Sequence, residues 1–247
     1  MGGMSRVLVT GSAGRIGQAV VAELRRRHHT VRGLDLCGTP GLEDAWVGSI
    51  TDRPLVERAM QGMDVLVHLA ATPDDADFLT ELLPNNIVGV YHVMESARLA
   101  GIRRIVLASS GQVNWWQQRA GAIPVRPEDP PSPRYWYAAG KMFMESIGRG
   151  FAETHGISVI VARLGWCPRG REHLDAMASD PWAQDVYFSP RDAGRFFACA
   201  VEASEEVRHL VVNAASRPIR TQPFDMTAAK EWLGYEPEDT WPAGLSD

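Results

Sequence analysis

Residues Thr10-Gly11-Ser12-Ala13-Gly14-Arg15-Ile16-Gly17 decide the fold. They follow a short apolar run, Arg6–Thr10, and lead into apolar positions at helical spacing over Ile16–Arg27. Glycines at 11, 14 and 17 between a strand and a helix meet three needs: a tight turn, close backbone approach to a pyrophosphate, and close helix–strand packing. The helix start adds free N–H groups and a positive dipole end. Working outward, further apolar runs occur at Thr30–Leu36, Ala45–Ile50, Val65–Ala70, Arg104–Ser109, Ser158–Leu164 and His209–Asn213. Most are continuous rather than alternating, as strands buried on both faces of a parallel sheet must be. Helical patterns fall between them at Pro54–Gln61, Ile87–Ala100, Trp136–His155 and Arg191–Ala203. Asp52 before Arg53-Pro54 reads as an N-cap with proline in the first turn, and Gly101 and Gly156 read as helix C-caps. The alternation predicts an α/β fold, a Rossmann-type doubly wound parallel sheet with right-handed crossovers.

The 247 residues, 45% of them hydrophobic and 22% charged, suit one domain with a sizeable core. Lys and Arg total 25 against 30 Asp and Glu, a net charge of −5 that argues against nucleic acid or an anionic membrane as partner. No apolar stretch approaches the ~20 residues of a spanning helix. Residues Met1–Arg6 run into a strand pattern without a signal-peptide apolar region. Cys37, Cys167 and Cys199 lack C-x-x-C spacing, so neither a disulfide framework nor a zinc site is expected, and the compartment expected is the reducing cytoplasm. Five prolines within Ala120–Arg134 mark a stiff surface loop. Trp166–Ser189 and Arg217–Asp247 lack the strand–helix rhythm apart from a short helix near Thr227–Gly234. The expected organisation is one domain: residues 5–165 and 191–215 as the dinucleotide-binding core, 166–190 and 216–247 as a small substrate-binding lobe.

The glycine turn assigns Gly11, Ala13, Gly14, Arg15, Ile16 and Gly17 to a dinucleotide. Asp35 ends the second strand, 18 residues after Gly17. A carboxylate there accepts both adenosine-ribose hydroxyls and repels a 2′-phosphate, which favours NAD over NADP. Ser49 and Ile50 would meet the adenine, and Leu69, Ala70 and Ala71 would let backbone lie along the cofactor. His68 stands between Val67 and Leu69 and reads as a packed strand residue rather than a catalytic one.

Tyr137 and Lys141 stand four apart, on one face of the pattern beginning at Trp136. An ammonium beside a phenol favours phenolate and moves its pKa from about 10 toward working pH. Such a pair is often only a solvated helix face. Ser109-Ser110 at the end of the fifth strand raises its significance, because a hydroxyl there can face a nicotinamide. Ser110, Tyr137 and Lys141 are therefore the candidate catalytic set. Trp115, Trp116, Trp136, Trp166 and Trp182 cluster around these motifs as lobe core or as walls for a sugar ring. Trp116 and Trp166 lie shortly after strand ends and are the candidates for the site.

In this order Thr10–Gly17, Asp35, His68–Ala71, Asn86-Ile87-Val88-Gly89, Ile105–Ser110, Tyr137–Lys141 and Arg163-Leu164-Gly165 resemble extended short-chain dehydrogenases/reductases of the NAD-dependent epimerase/dehydratase group. Within it the sequence is most similar to bacterial uronate dehydrogenases, a likeness that extends to Phe188–Asp192 and Glu231–Pro237. The resemblance implies that Ser110 holds the reacting hydroxyl and that Tyr137 removes its proton. It implies too that Lys141 keeps Tyr137 ionised and binds the nicotinamide ribose, while hydride passes to NAD. Asn86 matches the group's asparagine, or is simply a helix-start residue. Gly111-Gln112 stand where uronate dehydrogenases carry Asn-His, and Ser49 stands where the group usually has Asp. Arg171 is nearest to the group's carboxylate-binding arginine, with Arg169 and His173 as rivals. Thr72, Gly111, Gln112, Trp116, Trp166 and Arg171 are the substrate candidates. A homodimer through the Ile87–Ala100 and Trp136–His155 helices is implied. About 80 residues follow the sixth strand, a lobe that suits a small free sugar better than a nucleotide sugar. The alternative is an epimerase or dehydratase that retains its NAD.

Overall fold

Seven strands form one parallel sheet in the order β3-β2-β1-β4-β5-β6-β7 in a computed structural model that describes residues 3–121 and 123–245. The strands are β1 Arg6–Thr10, β2 Thr30–Asp35, β3 Ala45–Val47, β4 Val65–His68, β5 Arg104–Ser110, β6 Ser158–Leu164 and β7 His209–Ala214. From β1 the chain builds outward through β2 and β3, then returns to the other side of β1 as β4. That reversal opens a crevice beyond the carboxyl ends of β1 and β4, where sheets of this kind bind ligands.

The strand period of two sorts each apolar run into two cores. Val7, Val9, Val65, Val67, Val106, Ala108, Ile160 and Ala162 face one side, where helices α1 (Arg15–Arg26) and α8 (Pro190–Glu202) pack. Leu8, Leu66, Ile105, Leu107, Val159 and Val161 face the other, against α2 (Arg53–Met60), α3 (Gly89–Leu99) and α5 (Trp136–His155). Burial on both faces is why the runs read as continuous. The Asp52 carboxylate accepts the Leu55 amide at 3.1 Å, as the capping pattern predicts. Gly101 and Gly156 adopt the left-handed conformation, with φ of +75° and +67°.

Three segments depart from the sequence expectation. The third strand ends at Val47 rather than Ile50, because Gly48 turns the chain out of the sheet at φ +157°. The helix expected over Ile87–Ala100 begins nine residues earlier, as a wide π-type stretch Phe78–Val88 running into α3. Asp77 caps that stretch by accepting the Thr80 amide at 2.9 Å. Pro84 lies inside it, and a proline without an N–H reads in sequence as a helix breaker. The irregular Trp166–Ser189 stretch carries two short helices, α6 (Arg171–Ser179) and α7 (Pro181–Asp185), the second capped by Asp180, which accepts the Trp182 amide at 2.9 Å.

Further short helices are the 3-10 turn Gly111–Asn114, α4 (Trp115–Arg119) and α9 (Thr227–Leu233). Two small apolar clusters lie apart from the sheet cores. Val125, Val186, Ala215 and Phe224 form one, with Trp166 and Trp182 against it. Met177, Ala183 and Tyr187 form the other. The Asp185 carboxylate accepts the amides of Ile219, Arg220 and Thr221, tying α7 to the chain after β7. No helix among the described residues is long and apolar enough to cross a membrane.

Candidate active site

A cleft of about 950 Å³ runs along the carboxyl ends of the strands. Its first half is built by the glycine turn. Gly11 adopts φ +74° and donates its amide to Leu34 O at 2.8 Å, and a Cβ there would stand 2.7 Å from Ala70 N. A Cβ on Gly17 would stand 2.0 Å from Gly11 O, so the helix can approach the turn only as glycine. Gly14 is the N-cap of α1 and supplies no side-chain cap, which leaves the first amides of α1 for a ligand. Asp35 accepts Ala13 N at 2.9 Å and Leu36 N at 2.6 Å, which fixes its carboxylate at the cleft edge. Arg15, Ile16, Ser49, Ile50, Leu69, Ala70 and Ala71 line the same half. The Ser49 hydroxyl is 2.8 Å from that of Thr51. The donor set, a glycine turn and helix start for phosphates and a carboxylate for a ribose diol, fits NAD.

Asn86, a cofactor candidate by resemblance, does not line the cleft. It lies buried behind the wall, accepting Thr72 N at 2.8 Å and donating to Thr72 O at 2.9 Å. Its neighbour Asn85 lines the cleft and donates to the Thr72 hydroxyl at 2.8 Å. Asn86 thus holds the Thr72 loop that forms the wall. His68 is buried and 2.7 Å from the Thr10 hydroxyl, and burial pushes it down to about 3, so it is a neutral packed residue.

Ser110, Tyr137 and Lys141 converge in the second half of the cleft. Ser110 ends β5, and its hydroxyl accepts Gln112 N at 3.2 Å. Tyr137 stands in the first turn of α5 with its amide donated to Asp75 at 3.2 Å. Lys141, one turn on and 6% exposed, donates its Nζ to Ala108 O at 2.7 Å and lies 5.6 Å from the centre of the Tyr137 ring. Burial is the largest influence on the phenol and pushes it up to about 12, with Asp74 acting in the same direction. A hydrogen bond with Ser110 and the charge of Arg169 act against it. Burial brings Lys141 down to about 8, opposed by Glu145. In this cleft desolvation, rather than the lysine alone, dominates the phenol, which differs from the sequence argument.

A buried network that the motif reading left out backs this trio. The Ser109 hydroxyl donates to Glu145, which also holds Arg163 at 2.8 Å, and Arg163 donates to Asn114 Oδ1 at 2.7 Å and Pro127 O at 3.0 Å. Glu145 lies four residues after Lys141 on the same helix face, so its spacing carried the information. The network ties α5, β5 and β6 to the proline-rich loop.

The substrate candidates divide. Thr72, Gly111, Gln112 and Trp166 line the cleft. Trp116 does not: its side chain points outward, 56% of the residue exposed, and Trp115 takes the wall position instead. Arg171 does not either, since its side chain is 93% exposed on α6 and faces Asp175 at 3.9 Å, while Arg169 lines the cleft. The turn of a short helix separates Trp115 from Trp116, and Arg169 lies on the loop just before the helix on which Arg171 starts. Trp182, Phe224, Asp74 and the rival candidate His173 also line the cleft. Trp182 and Phe224 belong to the small apolar cluster of the lobe, and Trp136 lies tilted against Phe78, 5.2 Å between ring centres, outside the cleft.

Comparison with known proteins agrees with this geometry. Residues 7–166 match the family described as the NAD dependent epimerase/dehydratase family. The chain is 32% identical to an L-arabinose 1-dehydrogenase (NAD(P)(+)) of Haloferax volcanii, over 96% of this chain and 97% of that protein. It is 27% identical to a uronate dehydrogenase of Pseudomonas putida, over 96% of this chain and 85% of the relative. Among solved structures, a mutant uronate dehydrogenase from Agrobacterium tumefaciens complexed with NAD superposes with a TM-score of 0.79 at 25% identity, covering 96% of this chain and 86% of that one.

Proposed function

We infer the function from one premise: the chain belongs to the NAD dependent epimerase/dehydratase family. It is an NAD-dependent oxidoreductase that oxidises a hydroxyl of a small sugar or sugar acid. The observation that carries this reading is one continuous cleft with the glycine turn and Asp35 at one end and Ser110, Tyr137 and Lys141 at the other. Both relatives named above match along nearly the whole chain and are dehydrogenases, which favours net oxidation over an epimerase or dehydratase that keeps its NAD.

In this reading Gly11, Ala13, Gly14, Arg15, Ile16 and Gly17 hold the pyrophosphate, Asp35 the adenosine ribose, and Ser49 and Ile50 the adenine. Leu69, Ala70 and Ala71 flank the cofactor, and Lys141 holds the nicotinamide ribose. NAD supplies the hydride acceptor and a positive charge that favours phenolate over phenol. Ser110 donates a hydrogen bond to the reacting oxygen, and Tyr137 as phenolate takes the hydroxyl proton as the substrate C–H bond breaks. Oxidation at C1 of a cyclic sugar leaves a lactone. The lobe of residues 166–190 and 216–247 closes over the sugar beside the dinucleotide core. A homodimer working in the cytoplasm, without nucleic acid, completes the proposal.

Tyr137→Phe tests the mechanism. General base catalysis contributes roughly 10²–10⁴-fold, so NADH formation should fall by about that factor while NAD binding stays unchanged. Turnover at the parent rate in that variant rejects Tyr137 as the base.

A further inference from the structure

The sugar end of the cleft contains a charge pair that the catalytic trio does not use. Asp74 lies on the loop after β4, and Arg169 on the segment after β6; the Arg169 guanidinium donates to the Asp74 carboxylate across the cleft. The second Asp74 oxygen accepts Gln112 Nε2 at 3.1 Å. Asp74 adopts φ +60°, a conformation non-glycine residues seldom take. Asp and Asn enter this region more readily than other side chains, and here it places the Asp74 carboxylate at the cleft. Both charges reach the reacting centre, since Asp74 raises and Arg169 lowers the Tyr137 phenol.

We propose that the Asp74–Arg169 pair, with Gln112, selects an uncharged sugar over a uronate, an assignment that rests on the dehydrogenase reading above. A sugar hydroxyl both donates and accepts, so it can give its proton to Asp74 while accepting from Arg169 or Gln112. A carboxylate only accepts. To reach Arg169 it must displace Asp74, and it then stands beside an acceptor of its own sign. Glu81 and Asp180, which also line the cleft, add to that repulsion. The other arginine of this end, Arg119, is laid on the face of Trp115 at 4.6 Å from the ring centre. Arg171 faces solvent outside the cleft. The aromatic surfaces of Trp166 and Trp182 suit the apolar face of a sugar ring of either kind, so the choice falls to the charges.

The test compares matched pairs, D-galactose with D-galacturonate and D-glucose with D-glucuronate, together with L-arabinose, reading NADH in the parent protein and in Asp74→Asn. Asparagine tolerates the left-handed backbone, so the loop geometry is kept while the charge is removed. In the parent, kcat/KM should be at least about tenfold higher for the neutral sugar of each pair, a difference of about 1.4 kcal/mol. In Asp74→Asn that ratio should shift toward the uronate by a similar factor. A parent protein that oxidises uronates as well as the matching aldoses overturns the assignment even if the variant does not fold, and so does an unchanged ratio in a folded variant. No NADH from any sugar overturns the dehydrogenase reading itself, and the charge assignment with it.

Discussion

Lys141 illustrates the tension between stability and chemistry at a single side chain. It is nearly fully buried, and burial lowers it from 10.5 to about 8. The unfolded chain therefore binds more protons than the folded one between pH 8 and 10.5. Stability should rise with pH through that window and be flat with respect to this group below it. At pH 7 the buried ammonium costs roughly 3 kcal/mol, the free energy of that displacement. Lys141→Met removes this cost but also the hydrogen bond to Ala108 O, worth about 1 kcal/mol. The variant should thus be more stable by roughly 1–2 kcal/mol at pH 7, lose that advantage above pH 10.5, and be inactive. Thermal melts from pH 7 to 11 check it, and a lower melting temperature at pH 7 contradicts it. The Tyr137/Lys141 spacing was legible in the sequence because four residues is a property of one helix. The balance of burial against charge was not, because desolvation comes from β4, β5 and the loops folded over the pair.

At the scale of elements, helix α8 shows how a strand residue can finish a helix. Arg104 begins β5 and is buried; it donates to the carbonyls of Val201 at 3.0 Å, Ala203 at 2.6 Å and Ser204 at 2.7 Å, and to the Ser158 hydroxyl at 3.1 Å. The carbonyls of Val201 and Ala203 are among those a helix end leaves without an intrahelical partner, and Ser204 follows directly after the cap. Arg104→Met should leave buried acceptors unpaired and cost roughly 2–4 kcal/mol. The expected loss in melting temperature is about 5–15 °C. Arg104→Lys, with fewer donors and no planar fork, should recover only part of it. A melting temperature unchanged in the methionine variant rules out the capping role. Strand and helix periods predicted the existence of nearly every sheet element, and Asp52, Gly101 and Gly156 predicted three ends. The Phe78–Val88 stretch was not legible, since Pro84 signals a break and the wide turn that accommodates it depends on packing against α5 and α3.

For the whole molecule the sheet reversal beside β1 makes the cleft, and ligand linkage should report it. NAD at about 100 times its dissociation constant should stabilise the fold by about 2.7 kcal/mol, or roughly 5–10 °C for a chain of this size. Gly17→Ala should abolish that increment, because the added Cβ would stand 2.0 Å from Gly11 O and push the turn off the helix start. Retention of the full NAD shift in that variant would remove the glycine turn from the binding site. The C-terminal segment is joined to the sheet by a polar knot. Asp192, fully buried, accepts the Ser216 hydroxyl at 2.6 Å and the amides of Glu238 and Asp239 at 3.0 and 3.1 Å. By itself the sequence determined the parallel α/β sheet, and it proposed the glycine turn with Asp35 and the Ser110, Tyr137 and Lys141 set, which line one cleft. The sheet, the glycine turn and the Tyr137/Lys141 spacing rest on periods and spacings local to one strand, one helix or one turn. Only the tertiary structure decided that Trp115 rather than Trp116, and Arg169 rather than Arg171, faces the cleft, that Asn86 supports Thr72, and that Asp74 meets Arg169. Asp74 and Arg169 stand 95 positions apart in the chain. Short helices and irregular loops carry no period long enough to orient a side chain, so their direction is set by what they pack against.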